Sequence, residues 1–510
     1  MKITTRIRQL FGRRADKRRR PGRALRRSYD AGRRDRLTAE FADTNTSANF
    51  ELRRSLRVIR ARSRDLARNN DYVKQFLRRC RDNISGPSGI KLQARALRPD
   101  GEPDEVLNRR VEADWREWCH KGTASASGKL SFRDIERKLD THLARDGEAL
   151  VRALPSNNKF GFALRVYSVD WLDETYNERR PDGNRVIMSV EVDADDRPVA
   201  YWFTPPPADY QFLDTNQPSR YRTRVPAEEV IHYYLPDDEN SDDDSQTRGV
   251  PWTHTAIKRL KMLGAFEYAA VVASRIGASK MAFFQETAPT EEEYEGEDAG
   301  RGGRKDELMD EPDPGTFGII PEGYELKEWD PQYPHENFNP FLKGVLRGIA
   351  AGLGIPYFAL AQDLESVNYS SARIGLLDER DVWRGLQLFK VEHFNLVVWR
   401  LWLREQLLQG RVTVSEYKRL LEPVFHGRGW TWIDPLKEAA GTVTAIDHGF
   451  DTITATLAEQ GRDIDEFISE RKRELKKFAD AGIPLPQPTG GAPAVPPDEE
   501  DGGGETPLKK

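Results

Sequence analysis

The chain has 510 residues, enough for several cores, yet only 38% are hydrophobic and 32% are charged, a balance that suits an elongated subunit completed by its neighbours. Cys80 and Cys119 are the only cysteines, and neither lies in a CxxC or Cys/His cluster, which argues against a disulfide framework or structural zinc and suits a reducing cytoplasm. No run approaches the roughly 18 apolar residues that span a bilayer, and no signal-like segment opens the sequence, so no membrane partner is expected.

The formal charge of −4 conceals a segregation: residues 1–36 hold fifteen Lys and Arg against three Asp, a net +12 that leaves −16 for the rest. Arg13, Arg14, Lys17, Arg18, Arg19 and Arg20 form its densest run, a candidate polyanion-binding segment acting through counterion release, within a disordered arm expected over 1–47.

The first helix is predicted from Ala48, where Leu52, Leu56 and Ile59 recur at helical spacing and arginines fill the other faces. A second, from Tyr72, stops at NISGPSG, and GIKLQAR reads as a strand. Helices follow over 104–119, with Val106, Leu107, Val111, Trp115 and Trp118 on the apolar side, and over 132–145. Between 148 and 235 the period shortens in ALVRALP, FALRVYSV, RVIMSVEVD, PVAYWF and VIHYYL, which predict one antiparallel sheet beside the helices. The acidic run 237–244 lacks the Gly and terminal Glu of a calcium loop and reads as solvated.

A long helix over 253–279 carries Ile257, Leu260, Gly264, Tyr268 and Val271 on one side and Lys258, Arg259 and Lys261 on the other. Residues 286–313, with twelve acids, read as a mobile insertion; TFGIIP and YELKEW beyond it read as short strands. The helix over 339–353 has an apolar face of Leu342, Val345, Leu346, Ile349 and Leu353, and a separate stripe of Gly344, Gly348 and Gly352. Each glycine costs about 1 kcal/mol relative to alanine, so close approach of a neighbouring helix is expected there; the alternative is a helix kinked or frayed towards Gly354 and Pro356. After a polar loop over 363–371, a helix to 409 places Trp383, Leu386, Phe389, Val397, Leu401 and Leu408 on one stripe, with Trp399 and Trp402 beside it as core. Helices continue from 430 to 478, and 484–510 is a disordered Pro, Gly and acid-rich tail.

Chemistry is sparse. No GxxxxGK[ST] loop occurs, and GRGGRK from Gly300 lacks the strand such a loop needs. The eight histidines make no HExxH, His232 and His393 read as packed or surface residues, and carboxylates this dense match a two-metal pattern by chance. Asp146 and Glu148 in ARDGEALVR read as a structural motif turning helix into strand at Gly147. No catalytic residue, metal or cofactor is expected, and function should come from shape.

The composite of RSRDLARNNDYVKQFLRRCRDNISGPSGIKLQ, ARDGEALVR, RGVPW, EYAAVVASRIGASKMAFF, PGTFGIIPEGYELKEWDPQYP, GIAAGLGIPYFALAQDLESVNYSSARIGLLDERDVWRGLQ and GWTWIDPLKE, in that order, resembles the lambda-type portal proteins of tailed bacteriophages. The resemblance implies an α+β, mainly helical portal fold with a β-rich wing and clip, a helical stem and a helical crown, assembled as a ring, usually of twelve. It implies a wing over 48–252, stem helices over 253–281 and 335–358, a clip over 282–334, a channel loop and long wing helix over 359–410 and a crown over 411–483. Such a ring sits at one capsid vertex of the virion. It nucleates procapsid assembly and passes double-stranded DNA in and out, with terminase, major capsid and scaffolding proteins, and head completion or tail connector proteins as partners. By position, Asn368, Tyr369, Ser370 and Ser371 correspond to the channel loop that touches duplex backbone, Gly344, Gly348 and Gly352 to intersubunit helix packing, and Lys343 and Arg347 to a basic girdle that pairs with acids of the next subunit. The alternative is an enzymatic subunit of the packaging apparatus, a motor or nuclease, which ATP hydrolysis by the purified chain alone would support.

Overall fold

Helix α1 (Ala48–Asn69) buries a single row of Ala48, Leu52, Leu56, Arg60, Ser63 and Leu66. Steps of three and four residues keep that row on one face. Arg60 therefore sits among the core positions, where the apolar pattern alone had left no arginine. The computed structural model in which this is seen describes residues 46–204, 222–236, 244–278, 282–286, 324–328, 338–365, 369–430 and 435–483.

Helix α2 (Asp71–Ile84) starts on Asn70, whose side chain accepts from the Val73 N–H at 3.1 Å, and buries Val73, Phe76, Leu77 and Cys80. After β1 (Lys91–Gln93), α3 (Glu105–Trp118) buries Leu107, Val111, Trp115 and Trp118, while Val106, expected beside them, is exposed. Helix α4 (Phe132–Asp146) opens with a reciprocal Ser131–Asp134 capping box and ends on Gly147, whose φ of +85° turns the chain directly into β2 (Glu148–Pro155).

The strand-rich region is two sheets rather than the one expected. In the first, β2 lies between β3 (Phe162–Tyr167) and β9 (Val230–Tyr234). In the second, β4 (Glu178–Arg179), β5 (Arg185–Ile187), β6 (Val190–Val192), β7 (Pro198–Phe203) and β8 (Thr223–Pro226) follow in order, all antiparallel. The run RVIMSVEVD is not one strand but the β5–β6 hairpin. Its turn residues Met188 and Ser189 have φ of +48° and +70°, a conformation for which glycine and asparagine are the usual choices, so the pattern of β-branched residues hid it.

Helix α5 (Ile257–Ala278) begins four residues later than the apolar pattern indicates. It buries Ile257, Leu260 and Leu263 but exposes Tyr268 and Val271, so its apolar residues face two directions. Strands β10 (Ala282–Glu286) and β11 (Tyr324–Glu328) pair antiparallel, and α6 (Phe338–Leu353) returns along α5. The antiparallel course of the two helices follows from Thr255 lying against Gly352, Arg259 against Gly348, and Phe266 against Phe338 and Phe341. TFGIIP and the basic arm lie outside the described residues, as do most of the acidic insertion and the tail.

A short helix α7 (Tyr357–Ala361), not foreseen, precedes α8 (Tyr369–Lys390). A π-helical turn, Val391–Asn395, joins α8 to α9 (Leu396–Leu408). One extra residue in that turn rotates the row that follows. The buried row accordingly runs Trp383, Gln387, Lys390, Phe394, Val398 and Trp402, with Trp399 also buried, while Leu408 from the expected stripe is exposed. Helix α10 (Val414–Arg419) leads to β12 (Val424–His426), which pairs with β1, and α11 (Pro435–Asp447), α12 (Ile453–Glu459) and α13 (Ile464–Asp480) follow.

The largest core joins α3, α4, the β3–β2–β9 sheet and α9. Trp115, Trp399 and Trp402 lie at its centre with ring centroids 5.3 Å apart; the Trp399 indole N–H donates to the Leu420 carbonyl at 2.8 Å. A second core lies between α2, α5, α6 and Trp383 of α8.

Candidate functional site

The α5–α6 pair carries the glycines singled out by sequence. A Cβ on Gly348 would stand 2.6 Å from Arg259 Nη1, and one on Gly352 would stand 3.0 Å from Thr255 Oγ1, whose hydroxyl donates to the Gly352 carbonyl at 2.8 Å. These two glycines thus admit a helix of the same chain. Gly344 faces open space.

One turn away, Lys343 is paired within its own chain: its Nζ lies 3.2 Å from both Asp363 Oδ2 and Glu365 Oε2. Asp363 also accepts from the Tyr357 hydroxyl at 2.7 Å and the Glu365 N–H at 3.0 Å, and these bonds, with Lys343, hold its carboxylate below the usual range. Glu365 and Asp363 hold the Lys343 ammonium above its ordinary value. The Arg347 guanidinium lies 5.6 Å from the centroid of the Tyr357 ring. The entry to the polar loop is therefore tethered to α6. At its exit, Tyr369, Ser370 and Ser371 belong to the first turn of α8 rather than to the loop, because the helix starts two residues earlier than expected; Asn368 lies outside the described residues.

A buried charge cluster joins three of the sequence motifs. Gly147 of ARDGEALVR and Gly249 of RGVPW meet so closely that a Cβ on Gly249 would be 2.1 Å from the Gly147 carbonyl oxygen. That approach delivers Arg248 to Glu148, with Nη2–Oε1 2.6 Å and Nε–Oε2 2.9 Å. Arg60 Nη2 reaches the same Glu148 Oε1 at 2.6 Å, and its Nη1 reaches Glu174 at 2.7 Å. Arg64 bridges Asp146 at 2.7 Å and Asp170 at 2.5 Å, and Arg145 closes on Asp146 at 2.6 Å. Four guanidinium groups thus meet four carboxylates. Burial opposes ionisation of Glu148, but Arg248, His232 and Arg60 outweigh it and hold the carboxylate well below its ordinary range. His232 is packed, as its sequence context indicates, with Nε2 2.8 Å from Glu148 Oε2; burial pushes its imidazole down. Arg248 also donates to the Met188 carbonyl at 2.9 Å, fixing the strained β5–β6 turn.

A second cluster ties α8 to α2 and α4. Lys390 Nζ is 2.5 Å from Asp140 Oδ1 and from Ser85 Oγ, and 2.8 Å from the Glu136 carbonyl. Asn395, in the π-helical turn, donates to Glu136 Oε1 at 2.8 Å. Burial pushes the Glu136 carboxyl up to about 7, against the pull of Lys390. The conspicuous charge density of the chain masked both clusters; the signal that marks the first is the pair of glycines beside Glu148 and Arg248. Among the described residues no group of three or more His, Cys, Asp and Glu side chains is placed to hold a metal ion, and no helix is long and apolar enough to cross a membrane.

A family profile described as phage portal protein, lambda family, matches residues 34–387. The chain is 31% identical over 492 residues to a probable portal protein of Halomonas phage phiHAP-1, covering 94% of this chain and 92% of that protein. Portal protein B of Escherichia phage lambda is 24% identical over 476 residues, covering 84% and 85%. Among solved structures, a chain from the neck of an empty gene transfer agent particle is 13% identical, covering 78% of this chain and 93% of that chain, with a TM-score of 0.44. These matches put the chain among the structural proteins of phage particles. It belongs to the lambda family of phage portal proteins.

Proposed function

We propose that the chain is one subunit of a twelve-membered ring at a single capsid vertex, through which double-stranded DNA is packaged and later ejected. The observation that carries this reading is the likeness to proteins named as portals over nearly the full length of both partners. In this reading α5 and α6 are the stem, β10 and β11 belong to the clip, the two sheets form the wing, and α11 to α13 form the crown. Exposed apolar residues on α5 (Met262, Tyr268, Val271) and α8 (Ile374, Leu377, Leu388) support a neighbouring subunit, because a solitary chain gains nothing from presenting them to water. The packing role between subunits then falls to the face around Gly344.

Asn368 and the first turn of α8, Tyr369 to Ser371, are the DNA-facing segment. Lys343 is neutralised by Asp363 and Glu365, so the loop entry offers no strong phosphate trap and a duplex slides past it. Lys343 is thereby withdrawn from the expected pairing with the next subunit; Arg347 retains that role. Terminase, scaffolding and major capsid proteins, and head completion or tail connector proteins are the partners of such a ring in the virion, and the subunit is made in the host cytoplasm. Negative-stain imaging of the purified chain tests the reading: rings with a central hole are expected, and a monomer under all conditions overturns it.

A further inference from the structure

On the outer side of α4, against α2, lies a groove of about 380 Å³ whose lining is dominated by basic side chains. Two of these are neutralised locally: Arg137 by Asp82 at 2.7 Å and Arg145 by Asp146 at 2.6 Å. Asp134, a carboxylate of the lining, is committed to the α4 capping box. Lys138 is exposed, with no hydrogen bond or ion pair among the described residues, and Arg81 Nε lies 3.8 Å from its nearest carboxylate, Asp82, beyond hydrogen-bond reach. Arg81 Nε and His142 Nδ1 are both buried without a hydrogen-bond partner. Burial pushes the His142 imidazole down to about 4, so near neutrality the ring is uncharged and carries one N–H.

Two uncompensated cations and two orphaned polar atoms on one groove call for an anion, since an unpaired buried donor costs free energy until an acceptor arrives. Donors that converge from α2 and from two positions of α4 require acceptor oxygens pointing in at least three directions. A planar carboxylate has two oxygens; a tetrahedral phosphate has four. We propose that the α2–α4 groove is a binding site for a phosphate oxyanion, with Lys138 and Arg81 supplying the charge and His142 Nδ1–H donating from the floor. The groove is wider than one oxyanion, so the phosphate is either free inorganic phosphate or a phosphodiester of nucleic acid entering with its sugars. This proposal does not depend on the ring reading.

The test uses the full chain. Inorganic phosphate is titrated by calorimetry against a chloride control of equal ionic strength, and retention of a short DNA duplex is measured under matched salt. Wild-type protein should bind phosphate over the chloride control. Lys138→Glu, at an exposed position that leaves the fold intact by circular dichroism, should weaken phosphate binding at least about tenfold, and Arg81→Gln should act in the same direction. Loss of phosphate binding with unchanged duplex retention assigns the site to the free ion, and loss of both assigns it to phosphodiester. No phosphate binding by wild type beyond the chloride control, or phosphate binding by Lys138→Glu equal to wild type, overturns the proposal.

Discussion

Glu148 and Arg248 are separated by 100 positions in sequence, yet they form a fully buried ion pair with Nη2–Oε1 2.6 Å and Nε–Oε2 2.9 Å. Their meeting fixes the exit of α4, the first strand of the three-stranded sheet, the β5–β6 turn and the approach to α5 with respect to one another. A pair so placed specifies geometry more than it adds stability, because two desolvated charges recover little net free energy.

Removing one partner should nonetheless be severe. Glu148→Gln keeps the shape but leaves Arg248 and Arg60 facing a neutral amide, and an unpaired buried charge costs about 3–5 kcal/mol. Urea denaturation should show that loss, or the variant should fail to accumulate as folded protein; a midpoint equal to wild type would refute the bracing role.

The two glycine sites should behave oppositely. At Gly147, φ is +85° and a Cβ would stand 2.3 Å from the Val250 carbonyl carbon, so Gly147→Ala should cost about 3 kcal/mol or more through backbone strain and overpacking. At Gly348 the obstruction is the far end of the exposed Arg259 side chain, which can swing away, so Gly348→Ala should be neutral or gain up to about 1 kcal/mol of helix propensity. Thermal denaturation of both variants checks the contrast.

Glu136 gives a pH signature. Its folded carboxyl titrates near 7 against an ordinary value of 4.5, so between those values the folded state holds a proton that the unfolded state has released. Its contribution therefore favours folding below 4.5 and is lost as pH rises towards 7. Glu136→Gln removes this dependence, and relative to wild type it should be more stable at pH 8 than at pH 5 by on the order of 2 kcal/mol. Urea midpoints at the two pH values measure the difference; parallel pH dependences would count against a buried, proton-holding Glu136.

Deleting residues 1–36 removes a net +12 and leaves an acidic body. Nonspecific DNA retention should fall sharply and lose most of its salt dependence, while oligomeric state is unchanged. Equal retention by the truncated chain at the same ionic strength would place the contact elsewhere.

Replacing Asn368 and Tyr369 with alanine should leave ring and procapsid assembly intact and reduce the length of DNA packaged or retained per particle. The measurement is packaged DNA length with the same motor supplied. Normal filling excludes a necessary role in DNA handling, and failure to form rings makes the segment structural.

By itself the sequence determined the class of fold and the family. Local apolar periodicity, caps such as Ser131–Asp134 and stops such as Gly147 act within a few residues, so the described helices and most strands lie near where the pattern places them. Tertiary structure decided which faces are buried and which charges meet. The π-helical turn before α9 moved Gln387 and Lys390 into the core row, because one extra backbone residue rotates everything after it. Arg60 became a core residue only because Glu148 and Glu174 arrive from distant segments to pay its desolvation. Gly348 and Gly352 found their close neighbour in α5 of the same chain, since the antiparallel return of α6 brings it within reach. Pairings between segments tens to hundreds of residues apart leave no periodic trace in a single sequence, and only the folded chain selects among its many acids and bases.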